Sequence, residues 1–255
     1  MLRIKFKLLL ILLLPLLSVS HASAQELEKL LTAKTFKSAG GETLPYRLFV
    51  PANYDRRKKY PLIVFLHGSG GLGNDNLKQL QLGNRYLIDR FTQSESQSRY
   101  PAFVVAPQSI GEGWVAANDR ITPSRQLRLA VELIDELRRT YSIDSGRLYV
   151  AGQSLGGFGT FAIISAYPRM FAAGIPLCGG GDESKAAQYK GTALWVFHGE
   201  KDESVPVANS RQMVAAIRKA GGQVKYTEYP GEGHSIWTIV AKEPDLLQWL
   251  FSQQR

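Results

Sequence analysis

Arg147-Leu148-Tyr149-Val150-Ala151-Gly152-Gln153-Ser154-Leu155-Gly156-Gly157-Phe158-Gly159-Thr160-Phe161-Ala162-Ile163-Ile164 begins as an apolar, β-prone run and ends as the buried start of a helix, with a glycine-flanked serine between. A serine at so sharp a strand-to-helix turn is pushed out of the sheet's C-terminal edge. Its hydroxyl is exposed there, close to the helix N–H groups. The glycines suit the turn, because a Cβ would collide with the neighbouring strand and helix. G-x-S-x-G alone is a weak signal; its seat between strand and helix gives it weight.

Working outward, further β-prone runs occupy 43–50, 60–66, 103–106, 172–177, 193–197 and 224–229. Helical patterns lie between or after them at 124–141, 156–167, 205–220 and 245–251. The first of these carries apolar positions at Leu127, Val131, Ile134 and Leu137. Short strands fed by helices of this length predict an α/β fold, a mainly parallel sheet covered by helices on both faces. In such sheets the chemistry collects at the carboxyl ends of the strands. The polar-rich segments 74–98 and 110–122 are read as loops that build a pocket.

The chain opens with a leader pattern. Arg3, Lys5 and Lys7 precede an apolar run from Leu8 to Leu17, and Ala22-Ser23-Ala24 supplies small residues for cleavage. Residues 1–24 are therefore expected to be a signal peptide, and 25–255 one α/β domain exported to the periplasm or beyond. The apolar run is shorter than the ~20 residues of a spanning helix, so no stable membrane span is expected.

The formal net charge is +9, of which three cations fall in the leader, leaving about +6. The remaining charges are scattered and no basic stripe alternates with aromatics, so nucleic acid is not an expected partner. Cys178 is the only cysteine and follows an apolar run, which fits a buried structural thiol.

A serine hydroxyl needs a base within hydrogen-bond reach to act as a nucleophile. His234 lies in a Gly-rich loop after the 224–229 run and before the last helix, at a strand's carboxyl end. His67 and His198 are each followed at once by glycine and are read as loop-shaping residues bonded to backbone. The base needs an acid to fix its tautomer. Glu200, Asp202 and Glu203 are available after the 193–197 run, and Asp202, deepest in the loop and just before Val205-Pro206, is preferred. The candidate catalytic residues thus fall in the order Ser154, Asp202, His234. Two oxyanion donors are expected, the backbone N–H of Leu155 and that of Ser69 in His67-Gly68-Ser69-Gly70-Gly71. Gln108, Trp114 and Trp237 are candidate pocket residues; the tryptophans offer flat faces to a sugar or phenyl ring. No ligand spacing for a metal is present, and no cofactor is implied.

With these residues assembled, the chain resembles the α/β-hydrolases. More narrowly it is similar to the secreted carboxylesterase/dienelactone-hydrolase-like group, often labelled predicted peptidases, which borders the feruloyl and acetyl-xylan esterases. The matching pieces run from Val64-Phe65-Leu66-His67-Gly68-Ser69-Gly70 and Val104-Val105-Ala106-Pro107-Gln108 through the serine turn. They continue in Pro176-Leu177-Cys178-Gly179-Gly180-Gly181, Phe197-His198-Gly199-Glu200-Lys201-Asp202, Tyr229-Pro230-Gly231-Glu232-Gly233-His234 and Trp237. Where that group often carries Glu-Arg after Gly-Ser-Gly, this chain has Gly71-Leu72-Gly73. The resemblance implies a serine esterase acting on a small-molecule or carbohydrate ester. No long apolar insertion of the lipase-lid kind follows the leader, 74–98 and 110–122 are polar-rich, and Trp114 and Trp237 offer flat faces, so short or aromatic acyl groups are expected ahead of lipid chains. A serine peptidase, or a catalytically silent envelope or carbohydrate binder on the same fold, are the alternatives.

Overall fold

Alternation along the central strand organises the molecule. In β3 (Tyr60–Leu66), Leu62, Val64 and Leu66 face one apolar core while Ile63 and Phe65 face another, as a period of two requires of a strand buried on both sides. The structure, a computed structural model, describes residues 24–255; the expected leader lies outside the described residues, Ala24 apart.

The other strands are β1 (Thr32–Lys37), β2 (Thr43–Phe49), β4 (Phe103–Pro107), β5 (Ile143–Gln153), β6 (Ala173–Leu177), β7 (Ala193–Gly199) and β8 (Val224–Tyr229). They form one sheet in the order β1-β2-β4-β3-β5-β6-β7-β8. β1 and β2 pair antiparallel, as do β2 and β4, and every pairing from β4 through β8 is parallel.

Helices cover both faces. One face carries α4 (Arg125–Thr140), α5 (Leu155–Ala166) and α6 (Ala208–Lys219). The other carries α1 (Ala24–Leu30), α2 (Arg85–Thr92), α7 (Trp237–Ala241) and α8 (Leu246–Phe251). α4 starts at Ser124, whose hydroxyl oxygen accepts from the Leu127 N–H, and it buries the expected Leu127, Val131, Ile134 and Leu137. α5 is apolar all round, since it is enclosed by the sheet and its helical neighbours. The fold class expected from the sequence is therefore the one observed.

The departures lie outside the parallel core. β1 was not expected; only Phe36 of its six residues is buried, so an edge strand open to water leaves little apolar pattern. The segment 74–98, read as pocket loops, instead holds α2 and α3 (Ser94–Arg99). Leu87, Ile88 and Phe91 of α2 are buried against the sheet.

Candidate active site

The serine turn is built by close approach. A Cβ on Gly156 would overlap the Leu66 carbonyl, and one on Gly152 would overlap the Gly156 carbonyl, so neither position accepts a larger residue. Ser154 takes φ 54 and ψ −117, a strained conformation for a residue with a side chain. It is held there by Ser154 N–H donating to Leu177 O at 2.8 Å and Phe158 N–H donating to Ser154 O at 3.1 Å. The result aims Oγ away from the sheet, at the N-terminus of α5.

Two loops deliver its partners. His234, after β8, has Nε2 2.9 Å from Ser154 Oγ, and its Nδ1 lies 2.6 Å from Asp202 Oδ2 in the loop after β7. An ionised carboxylate only accepts, so Nδ1 carries the hydrogen and the Nε2 lone pair faces the serine hydroxyl. The Asp202 side chain is fully buried and that of His234 is 22% exposed. Asp202 Oδ1 accepts from the N–H groups of Ser204 at 2.9 Å and Val205 at 2.8 Å. Burial works against the Asp202 charge, but those N–H groups and the His234 ring together hold its carboxyl below the usual carboxylate range. Its neighbours are engaged elsewhere: Glu200 is exposed and accepts from Gly231 N–H at 2.7 Å, and Glu203 is exposed.

The other two histidines among the described residues divide. His67 is fully buried; Nε2 accepts from Ser109 N–H at 2.9 Å, so Nδ1 carries the hydrogen and donates to Gly68 O at 2.7 Å. Burial depresses its pKa to about 4, against the pull of the Gly68 carbonyl. It shapes the loop that carries Ser69, as its sequence position suggests. His198 does bond to backbone, with Nε2 2.9 Å from Val205 O, but Nε2 is also 3.2 Å from Asp202 Oδ2. The sequence reading missed that second contact. Cys178 is buried, with its thiol donating weakly to His234 O at 3.5 Å.

Ser69 and Leu155 are the first residues of their helices, so their backbone N–H groups have no intrahelical partner. Both line a cavity of 390 Å³ that opens over Ser154 and His234. Val115, Leu155, Phe158 and Val205 give it an apolar lining, and Glu112 and Arg120 add charge. Arg120 sits at φ 56 with its guanidinium 5.9 Å from the centre of the Phe158 ring.

The three expected pocket residues stand elsewhere. Gln108 is wholly buried, its amide donating to Gly71 O and Asp75 Oδ1 and accepting from Asn76 N–H. Trp114 is wholly buried, with its indole N–H donating to His67 O at 2.9 Å. Trp237 packs edge-on against the His234 ring at 5.2 Å and lines a separate hollow with Leu82, Gly83 and Tyr86. Gln108 and Trp114 brace the site from behind, because the polar group of each found a partner in the scaffold, and Trp237 does so through its ring contact with His234. Phe158 went unrecognised and Leu155 was read only as an oxyanion donor, although a place in the first turn after the serine was a usable signal for the lining.

One group of potential metal-ligand atoms occurs among the described residues, on Cys178, Asp202 and His234, all within 4.8 Å. Burial pushes the Cys178 thiol up, so it remains protonated and poorly suited to a metal.

A mainly parallel sheet with a serine turn after β5, an acid after β7 and a histidine after β8 defines an α/β-hydrolase. The chain belongs to the prolyl oligopeptidase family, which matches at residues 108–183 and 181–253. A probable feruloyl esterase C of Aspergillus terreus is 29% identical over 196 residues, spanning 76% of this chain and 68% of that protein. The crystal structure of a thermostable esterase superposes with a TM-score of 0.86 at 40% identity, over 90% of this chain and 64% of that one. Dipeptidyl peptidase 4 of Porphyromonas gingivalis shares the fold with a TM-score of 0.70 at 16% identity, and this chain spans only 35% of its length. The likeness to an α/β-hydrolase esterase group bordering the feruloyl esterases, expected from the sequence, is borne out.

Proposed function

We propose that the protein is an exported serine hydrolase that cleaves carboxylic esters of short or aromatic acids, carbohydrate-linked ones included, through an acyl-enzyme on Ser154. Residues 25–255 would act as one catalytic domain, after removal of the leader. The observation that carries the reading is the continuous run of hydrogen bonds from Ser154 Oγ through His234 to Asp202, at 2.9 and 2.6 Å.

Ser154 Oγ attacks the ester carbonyl as its proton passes to His234 Nε2, and Asp202 stabilises the imidazolium. The Leu155 and Ser69 N–H groups receive the oxyanion. Collapse breaks the C–O bond, and the departing alcohol takes the proton from His234. Water then repeats the sequence on the acyl-enzyme, giving its proton to His234, and Ser154 is restored with the acid freed. A 390 Å³ cavity whose apolar lining is a short set of side chains, Val115, Leu155, Phe158 and Val205 among them, and which also carries Glu112 and Arg120, favours compact acyl groups. The feruloyl esterase and thermostable esterase likenesses support esters; the family's name keeps a peptidase as the second reading.

The test is turnover of p-nitrophenyl acetate and methyl ferulate alongside a matched p-nitroanilide, for wild type and Ser154→Ala. Ester turnover that vanishes in the folded mutant is expected. Activity above a few per cent in that mutant would remove Ser154 as nucleophile, and faster anilide than ester cleavage would favour the peptidase.

A further inference from the structure

His198 has no part in the chemistry above, yet it is fully buried and its Nε2 reaches the same Asp202 oxygen that holds His234. The two neighbours of Nε2 are Val205 O at 2.9 Å and Asp202 Oδ2 at 3.2 Å, and both only accept. Nε2 therefore carries a hydrogen whatever the charge on the ring. On the far side, Nδ1 lies 2.7 Å from Ser210 Oγ in α6, and that oxygen lies 2.9 Å from Gly179 O. Ser210 has one hydrogen to give. With His198 neutral, the hydroxyl donates to Nδ1; with His198 charged, Nδ1 donates and the hydroxyl turns to Gly179 O.

We propose that His198 is a positioning residue for the ester hydrolysis: its Nε2–H, which donates to Val205 O, also lies 3.2 Å from Asp202 Oδ2 and holds that oxygen electrostatically, so that Ser210, His198, Asp202, His234 and Ser154 form one chain of close polar contacts. The proposal rests on the triad reading above. Asp202 needs such support because Lys201, Glu203 and Ser204 around it are exposed. Its Oδ1 is pinned by two backbone N–H groups, and the second ring pins Oδ2. Two donors on one oxygen also share its charge, so His198 moderates the pull of Asp202 on the His234 proton.

The groups around His198 agree with a neutral ring near neutral pH. Burial lowers its proton affinity, and His234 opposes a second positive charge; Val205 O and Asp202 oppose that lowering. Glu228, its register partner on β8, is tied to Arg211 and Tyr226, and the Cys178 thiol beside Asp202 stays protonated.

The experiment compares wild type, His198→Leu and His198→Gln, with Ser154→Ala in the same series. Leu removes the donor at similar bulk, and Gln returns an N–H near the Nε2 position without a titrating ring. In His198→Leu, kcat should fall about tenfold or more with KM nearly unchanged, consistent with loss of a close polar contact to a charged group. The acid limb of kcat/KM should move to higher pH by about half a pH unit, because His234 now receives the full charge of Oδ2. Gln should restore most of kcat. A folded His198→Leu enzyme with unchanged kcat and acid limb overturns the proposal, as does a folded Gln variant no better than Leu. Should the Leu variant not fold, ¹⁵N imidazole spectra of wild type decide: Nε2–H on His198 at pH 7 is expected, and an Nδ1–H tautomer overturns it. Turnover surviving in Ser154→Ala would instead bring down the triad reading itself.

Discussion

Acid should destabilise this protein through His67 between pH 6.5 and about 4. The ring is saturated: Nδ1–H donates to Gly68 O, and Nε2 accepts from Ser109 N–H. A second proton on Nε2 would set N–H against N–H in a wholly buried site. The native ring therefore resists protonation down to about pH 4, whereas the unfolded chain takes its proton near 6.5. Because the folded value lies below the unfolded one, the contribution is intact above pH 6.5. It is lost as pH falls towards 4, where the native ring also titrates. A gap of about 2.5 pH units at 1.36 kcal/mol each corresponds to a loss of about 3 kcal/mol.

Urea unfolding of wild type and His67→Asn at pH 7, 6, 5 and 4 measures it. His198 and the carboxylates titrate in both proteins and cancel in the comparison. The variant starts less stable at pH 7, since Ser109 N–H loses its acceptor, but its decline from pH 6.5 to 4 should be shallower by about 3 kcal/mol. Parallel declines in the two proteins would refute the reasoning.

Asp202→Asn should reduce kcat by about 10⁴, the size of the same change in a serine protease triad, while Glu200→Gln and Glu203→Gln cost a few-fold at most. Steady-state kinetics on one chromogenic ester separates the three; serious damage from Glu200→Gln would reassign the acid. Acetate, butyrate and ferulate esters should give higher kcat/KM than palmitate, and an optimum at palmitate would contradict the short cavity lining. Protein recovered from an exporting host should have the intact mass of a chain starting at Gln25, against which a mass retaining residues 1–24 would count.

The parallel core could be read from the sequence because strands buried on both faces appear as unbroken apolar runs, as 60–66 and 147–151 do. The polar loops after four of those runs offered few residues able to do acyl-transfer chemistry, so Ser154, Asp202 and His234 could be singled out before any contact was seen. β1 could not, since Thr32, Ala33, Lys34 and Thr35 are all exposed. Nor could the fates of Gln108 and Trp114. Each is set by partners 30 or more residues away, Asn76 for the first and His67 for the second, which local pattern does not encode. His198 was half legible: its glycine neighbour announced a turn, but its approach to Asp202 depends on how the loop after β7 folds back.

Trp114 links two things that are separate in the chain. Its segment, 110–122, lines the substrate side of the cavity, while its indole N–H is fastened to His67 O and its ring lies 4.8 Å from the His67 ring. The Ser69 amide follows two residues after that carbonyl. A substrate group bulky enough to push the segment outward must drag the indole with it, tilting the peptide that carries the Ser69 N–H, the proposed oxyanion donor. Discrimination by the cavity wall would then be felt in turnover as well as in affinity: poorly fitting esters would bind yet wait for a misaimed amide. Swapping residues on that segment is accordingly a way to retune the reaction rate without touching a catalytic side chain.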